Sequence, residues 1–151
     1  MKKLSLFISI ILFSLFITKL FAEKHYTSGK ARVVDGDTIV IKKERIRFGG
    51  INSPERKEVG YQLAKDKLIK KIDNQVVTCV REKNKDKHKR TVAECFVNGK
   101  SLSSFMVKNG YACDFTYYSK GKYADEQKYA KSKKLGIWKM KYNFKWEKKC
   151  R

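Results

Sequence analysis

Short β-rich segments come first in this chain and helical patterns follow, and this order limits the possible fold more than any other feature. Strands are predicted over residues 31–34, 38–42 and 45–48, joined by Asp-Gly and Lys-Lys-Glu turns. Two more are predicted over residues 75–81 and 91–97, on either side of a very polar segment, residues 82–90, that is typical of a solvent loop. Five strands with helices between them predict an α+β fold built on a closed or nearly closed barrel.

Three helices are predicted from apolar spacing and from capping residues. The first has an apolar stripe at spacings of three and four, formed by Tyr61, Ala64, Leu68 and Ile72. Ser101 is suited to cap a second, short helix with Leu102, Phe105 and Met106 on one face. The third is predicted over residues 123–135 and is closed by Gly136.

Residues 1–22 have the pattern of a secretory signal peptide, because two lysines precede an apolar run over residues 4–18 and Ala22 ends the segment. The uncharged run of about 15 residues is shorter than the roughly 20 that a membrane-spanning helix needs. We therefore expect a secreted or periplasmic domain, residues 23–151, with a C-terminal tail over 139–151 and no permanent membrane span. If the signal is not cleaved, it anchors the protein.

The positive charge is the strongest indication of a partner. The chain has 36 Lys and Arg against 15 Asp and Glu, a formal charge of +21, and removal of the signal leaves +18. A field of this sign favours nucleic acid or anionic lipid. The basic residues are spread along the chain, which indicates a basic fold more than a disordered arm. The alternative is a solvated basic surface that only aids solubility.

The four cysteines all lie in the exported part, at Cys79, Cys95, Cys113 and Cys150. No C-x-x-C pair is present, so two disulfides are a better interpretation than zinc. Three pairings are possible, and Cys79 with Cys95 is one that would join neighbouring strands and leave Cys113 with Cys150 to hold the tail. Free buried thiols remain the alternative.

Two polar motifs follow predicted strands. Asp35-Gly36-Asp37 lies at a strand-to-strand turn, and Asn52-Ser53-Pro54-Glu55 follows the third strand. Oxygen ligands of this kind suit Ca²⁺ or Mg²⁺, although an Asp-Gly-Asp sequence alone is more often only a turn. Pro54 fixes the backbone beside Glu55. Glu55 is a candidate general base for water that attacks phosphorus, against the alternative of a helix N-terminal acid.

Arg47 and Arg90 each lie beside a predicted strand. A guanidinium group offers a planar fork of donors to phosphate oxygens, which gain negative charge in the transition state. Lysine would supply only a point charge. The alternative is an ordinary surface arginine.

Five motifs occur in a specific order: V-V-D-G-D-T (33–38), R-F-G-G-I-N-S-P-E (47–55), D-K-H-K-R-T-V-A (86–93), N-G-K-S-L (98–102) and K-K-L-G-I-W (133–138). In this order the chain closely resembles the staphylococcal nuclease, or thermonuclease, family over residues 30–138. The resemblance implies a five-stranded oligonucleotide/oligosaccharide-binding (OB) barrel with three helices. It also implies a calcium-dependent endonuclease, expected as a monomer, that acts on DNA and RNA and leaves a 3′-phosphate.

The same resemblance implies roles for individual residues. The metal ligands would be Asp37, Asn52 and the carbonyl of Ser53, with Asp35 in the outer shell. Glu55 would be the base, and Arg47 and Arg90 would bind the phosphate. Nucleic acid would also contact Lys87, Tyr117 and Tyr118.

Two departures from the family pattern are present. The family usually has aspartate where this chain has Asn52, which predicts weaker or altered metal preference. The loop that usually reads Asp-Arg/Lys-Tyr-Gly-Arg is Asp86-Lys87-His88-Lys89-Arg90 here, so a shifted loop with Arg90 in place is expected.

Retention of Glu55 with both arginines favours an active enzyme over its main alternative, a nucleic-acid-binding OB-fold module that is catalytically weak or inactive. A third possibility is a basic membrane-surface protein. Only the predicted helix with Tyr61 pairs an apolar stripe with basic residues, and packing of that stripe into the core explains it more simply. A histidine-based metal site is excluded, since His25 and His88 are the only histidines.

Overall fold

The computed structural model describes residues 25–140. The strands in that range are β1 (Tyr26–Asp35), β2 (Thr38–Ile41), β3 (Glu44–Phe48), β4 (Ile51–Asn52), β5 (Val76–Lys85), β6 (Thr91–Val97), β7 (Lys100–Ser101) and β8 (Cys113–Asp114). The helices are α1 (Tyr61–Ile72), α2 (Leu102–Lys108), α3 (Thr116–Ser119) and α4 (Ala124–Ser132), and a 3-10 helix spans Gly136–Lys139. The predicted signal peptide, and all of the predicted tail except residues 139 and 140, lie outside the described residues.

Five strands close into a barrel. The sheet order is β3-β2-β1-β5-β6-β7, and β3 also pairs with β6 in parallel, which closes the ring of β1, β2, β3, β5 and β6. The long strand β1 makes closure possible, because its first half pairs with β5 and its second half with β2. The prediction of an α+β fold on a closed five-stranded barrel is confirmed. No helix within residues 25–140 combines the length and the apolar composition needed to cross a membrane.

The turns and the helix stripe follow from sequence chemistry. Lys42 and Lys43 connect β2 to β3 with φ values of 47° and 71°, as the primed hairpin turns require. On α1, Ala64, Leu68 and Ile72 are buried, which confirms the predicted stripe. Ser101 caps α2 as predicted, because its hydroxyl accepts a hydrogen bond from the Ser104 amide at 3.0 Å.

Several elements differ from the sequence expectation: β1 begins at Tyr26 rather than at residue 31, and helix α3 and strand β7 were not predicted. Residues 82–85 were predicted as solvent loop but belong to β5, because Lys85 pairs with Thr91 of β6. The side chains of residues 82–85 are all exposed. Without an apolar face, this extension has no alternating pattern to reveal it. Helix α4 ends at Ser132 rather than at residue 135, and Gly136 starts the 3-10 helix at φ 51°. The small β4–β8 sheet was not predicted.

A disulfide joins Cys79 to Cys95, which face each other in the β5–β6 register. The sequence allowed three pairings of the four cysteines, and this is the one that joins neighbouring strands. Cys113 is also disulfide-bonded, and its predicted partner Cys150 lies outside the described residues.

Candidate active site

The turn between β1 and β2 packs directly against the segment that follows β4. A Cβ atom on Gly36 would lie 2.0 Å from the Ser53 hydroxyl oxygen, so only glycine allows this approach. The Ser53 amide donates a hydrogen bond of 2.8 Å to Oδ2 of Asp37. The two polar motifs of the sequence, residues 35–37 and 52–55, thus meet.

Asp37 and Arg47 form a buried ion pair in this turn. The Asp37 side chain is 6% exposed and that of Arg47 is 13% exposed, and Nη1 of Arg47 contacts Oδ2 of Asp37. Thr38, which lies opposite Arg47 in the β2–β3 register, donates its hydroxyl to Oδ1 of Asp37 at 3.0 Å. A buried charge pair is tolerated when further hydrogen bonds satisfy its atoms, and the hydrogen bonds from Thr38 and Ser53 satisfy both oxygens of Asp37.

Arg47 also reaches the end of β4. Its Nη2 donates to the Ile51 carbonyl at 2.8 Å and lies 3.4 Å from Oδ1 of Asn52. Asn52 is buried, and within residues 25–140 its amide nitrogen has no hydrogen-bond partner. A buried donor without an acceptor is costly, and a carboxylate at this position would remove that donor and face Arg47 with a second oxygen.

Asp35 adds a second carboxylate beside Asp37. Its Oδ1 accepts a hydrogen bond of 3.1 Å from the Asp37 amide. Burial, and then the negative charge of Asp37, raise the pKa of Asp35 to about 6. Two acids held this closely in a buried turn repel one another, and a cation between or beside them would stabilise both charged forms.

Arg90 reaches the same turn from the loop after β5. Its Nε donates to Oδ2 of Asp86 at 2.7 Å, and the amides of His88 and Arg90 donate to Oδ1 of Asp86. Nη1 of Arg90 lies 3.5 Å from the Thr38 hydroxyl, one residue from Asp37. Burial alone would raise the pKa of Asp86, but the hydrogen bonds and charge of Arg90 outweigh it, and the pKa is lowered.

The remaining predicted site residues are exposed. The Glu55 amide donates to Glu58 at 2.7 Å, but no hydrogen bond or ion pair joins the Glu55 carboxylate to another described residue. Tyr117 and Tyr118 on α3 are 68% and 64% exposed and meet edge to face. Lys87 is exposed in the loop. In this structure none of these four is bonded to the Asp37 turn.

The structure therefore brings together Asp35, Asp37, Arg47, Asn52 and Ser53, with Arg90 at the edge. Sequence reasoning missed two participants, Asp86 and Thr38. Asp86 could have been found from its spacing of four residues to Arg90, which is that of a local acid–base pair. Thr38 carried no signal beyond its place in the D-G-D-T motif.

The donor atoms at this turn fit a hard cation. Carboxylate, amide and carbonyl oxygens are the ligands that Ca²⁺ prefers, and Asp37, Asn52 and Ser53, which carry such groups, lie next to one another at this turn. Within residues 25–140 no group of three or more His, Cys, Asp or Glu side chains is arranged to hold a metal ion. Any site here consequently has two carboxylates at most and completes its shell with neutral oxygens.

Comparison with known proteins identifies the family to which this chain belongs. The family model described as "Staphylococcal nuclease homologue" matches residues 45–140. Thermonuclease of Staphylococcus intermedius is 34% identical over 122 residues, which cover 71% of this chain and 73% of that protein. The chain belongs to the staphylococcal nuclease family.

Two other relatives are longer than the matched region. A succinoglycan biosynthesis protein of Rhizobium meliloti is 32% identical over 73% of this chain and 63% of its own length. A staphylococcal-like nuclease of Arabidopsis thaliana is 32% identical over 68% of this chain and 32% of its own length. The chain thus spans between about a third and just under two thirds of these two relatives.

Proposed function

We propose that the protein is an exported, metal-dependent endonuclease that hydrolyses phosphodiester bonds of DNA and RNA. The observation that carries this proposal is the convergence of two guanidinium groups on one turn. Arg47 contacts Asp37 from β3, and Arg90 reaches Thr38 from the loop after β5. Two separate elements thereby place a fork of donors at one acidic turn, as recognition of a phosphodiester needs.

In the proposed reaction the arginines bind the non-bridging oxygens of the phosphate. As water attacks phosphorus, these oxygens gain negative charge, and donors already held in place stabilise that charge more than the ground state. The anchors of Arg47 and Arg90 on Asp37 and Asp86 limit the reorganisation that this requires.

Glu55 is proposed as the general base. Its exposed carboxylate follows Pro54 and has no competing partner among the described residues, so it is open to a water molecule. It takes a proton from that water while the new P–O bond forms and the bond to the 5′-oxygen breaks. The 5′-oxygen leaves and takes up a proton from solvent, Glu55 later returns its proton to solvent, and the other product ends in a 3′-phosphate.

Asp37, Asn52 and the Ser53 carbonyl would hold Ca²⁺, or Mg²⁺ in its place, with Asp35 in the outer shell. A bound cation would supply positive charge that neutralises the phosphate. Lys87 and the exposed rings of Tyr117 and Tyr118 would contact the flanking nucleotides by charge and by stacking.

Export is proposed from two features. Residues 1–22 carry the signal pattern, and the Cys79–Cys95 disulfide is of the kind that persists in an oxidising compartment.

A second candidate function is a nucleic-acid-binding module with little or no turnover. Arg47 is bonded to both Asp37 and Asn52, the side chains proposed to hold the cation, and Asn52 lacks the charge of an aspartate. Both facts weaken metal binding and leave the basic surface intact.

A comparison of cleavage with binding separates the two candidates. Mature protein is incubated with plasmid and single-stranded DNA in Ca²⁺, Mg²⁺ or chelator, beside the Glu55→Gln variant. The enzyme proposal predicts metal-dependent cleavage that Glu55→Gln abolishes while binding persists. Binding without cleavage under every metal would establish the module instead, and cleavage by Glu55→Gln at the wild-type rate would remove Glu55 as the base.

A further inference from the structure

A cavity of about 270 Å³ lies next to the turn that follows β3, two residues after Arg47. It is lined by the glycine pair that follows β3, by outward residues of β5 and β6, and by α3 with the segment after it, including Gly49, Gly50, Glu82, Glu94, Tyr118 and Lys122. Its volume lies just below the range of pockets for drug-sized ligands, about 300–1,000 Å³. A cavity of this size suits one flat ring system.

The cavity continues the surface that carries Arg47. Val92 lies opposite Arg47 in the parallel β3–β6 register. A methyl group of Val92 is also among the atoms nearest to the position that a Cβ on Gly49 would take, at 3.3 Å. Val92 thus connects the strand position of Arg47 to Gly49, which lines the cavity.

Glycine at position 49 lets a carboxylate approach the backbone. A Cβ there would lie 2.2 Å from Oε1 of Glu82, so any larger residue would displace that oxygen. Gly50, at φ 70°, similarly allows Ser119 to approach, and a Cβ there would lie 2.9 Å from the Ser119 Cβ. Both glycines thus shape the cavity, and Gly49 leaves room for the carboxylate of Glu82.

The two acids that line the cavity differ in what they can still bind. Glu94 accepts hydrogen bonds from Ser101 on Oε1 and from Lys122 and Tyr123 on Oε2. Glu82 has no hydrogen bond or ion pair to any residue of the part that the structure describes. Glu82 therefore offers two free acceptor oxygens, whereas Glu94 ties the segment after α3 to the barrel.

A free carboxylate in a strongly basic protein is unsuited to phosphate, because like charges repel. It is suited to a base edge with two adjacent N–H donors, since an ionised carboxylate accepts a pair of parallel hydrogen bonds. Among the common bases only the Watson–Crick edge of guanine presents such a pair, N1–H beside the N2 amino group. Single-stranded bases are read on this edge while they stack on aromatic rings, and Tyr118 supplies an exposed ring at the cavity.

We propose that this cavity is a nucleobase subsite that selects guanine through the carboxylate of Glu82, next to the phosphate held by Arg47 and Arg90. The proposal deepens the proposed nuclease function and rests on the assignment of a nucleic acid ligand. It predicts that cleavage and binding favour strands with guanine at one position beside the bound phosphate.

The test measures binding in chelator at fixed salt, so that turnover is not required. Three oligothymidylates are compared, each with one central guanine, hypoxanthine or adenine. Hypoxanthine keeps N1–H and O6 of guanine and lacks only the N2 amino donor. A bidentate contact predicts that wild type binds the guanine strand roughly tenfold more tightly than the hypoxanthine strand. Equal binding of the three strands by wild type would overturn the proposal.

Two variants and a control place the preference on Glu82. Glu82→Gln should reduce the guanine-to-hypoxanthine ratio to about one, and Gly49→Ala should reduce it by displacing the carboxylate without a change of charge. Asp125→Asn, which makes the same change of charge at an exposed site on α4, should keep the wild-type ratio. An unchanged ratio in Glu82→Gln would refute the role of Glu82. A protein that cleaves nothing yet keeps this preference would refute the nuclease function and support the subsite.

Discussion

The two arginines at the site are held in opposite ways. Arg47 lies on barrel strand β3, and its side chain is 13% exposed. It contacts Asp37, in the turn between β1 and β2, and donates to the Ile51 carbonyl. Arg90, at 22% exposed, follows a loop and is held by Asp86, four residues earlier. Long-range packing thus fixes one arginine, and a local contact fixes the other. Loss of an anchor should accordingly damage the fold in the first region and mainly the chemistry in the second.

The largest effect is expected for Asp37→Asn. The variant leaves the buried guanidinium of Arg47 beside an uncharged amide, and breaking a buried pair in this way costs about 3 kcal/mol of unfolding free energy. Urea unfolding in chelator measures this cost without a contribution from bound cation. Asp66→Asn on the exposed face of α1 is the matched control and should change stability by less than about 0.5 kcal/mol. A loss below about 1 kcal/mol for Asp37→Asn would show that the pair does not anchor the barrel end.

Asp86→Asn should act on catalysis instead. The amide oxygen can still accept from the loop backbone, but the charged contact to Nε of Arg90 is lost. We expect kcat to fall roughly tenfold, because one preorganised charge contact is weakened in the transition state. KM and the unfolding free energy should change little. A rise in KM at constant kcat would show that Asp86 affects only substrate binding and does not position Arg90 for the reaction.

Acid should weaken a third anchor, Glu44, which bonds across the barrel to Thr27, Thr91 and Arg81. Burial alone would raise the pKa of Glu44, but these hydrogen bonds and the charge of Arg81 lower it below its ordinary value of 4.5. A carboxyl with a lowered pKa stabilises the fold above its unfolded pKa, and this contribution is lost as pH falls through the folded value.

Glu44→Gln should therefore cost about 1 kcal/mol at pH 7, and its difference from wild type should shrink as the pH falls below 4.5. Unfolding by urea at a series of pH values measures this difference. A gap that stays constant down to pH 2 would contradict the assigned network.

The smallest effect is expected for Lys89→Gly. Lys89 has φ 59° in the loop that presents Arg90, a conformation that costs an L-residue roughly 1 kcal/mol and glycine little. The family pattern has glycine at this position. We expect the variant to be more stable by up to about 1 kcal/mol, with kcat near that of wild type, whereas Lys89→Ala removes the same charge and should gain nothing. Equal stability of the two variants would exclude backbone strain at position 89.

The sequence predicted local patterns more accurately than long-range contacts. The stripe on α1 and the cap at Ser101 follow from residue spacing and side-chain chemistry, and the turn between β2 and β3 was located although its first residue, Lys42, was predicted to lie in the strand. The pairing of Ile51 with Asp114, by contrast, joins two-residue strands too short to show any period. The β5 extension was missed for a related reason, because its pairing uses backbone atoms while its side chains are exposed.

The same limit applies to the site. The sequence motifs predicted Asp37, Arg47 and Asn52 as site residues, and in the structure Arg47 contacts the other two. That Arg47 bonds to Asp37 in the free protein could not be predicted, since it depends on how β3 and the β1–β2 turn meet after the barrel closes. The close approach of Glu82, on β5, to Gly49, in the turn after β3, likewise joins residues 33 positions apart.

The central claim is that this barrel hydrolyses phosphodiesters in a metal-dependent reaction. Its most direct test is the incubation of mature wild-type protein with a 5′-labelled single-stranded oligonucleotide in Ca²⁺ and in chelator, followed by identification of the new ends. The account predicts fragments that end in a 3′-phosphate in Ca²⁺ and intact oligonucleotide in chelator. Cleavage that proceeds equally in chelator, or fragments that end in a 3′-hydroxyl, would contradict it.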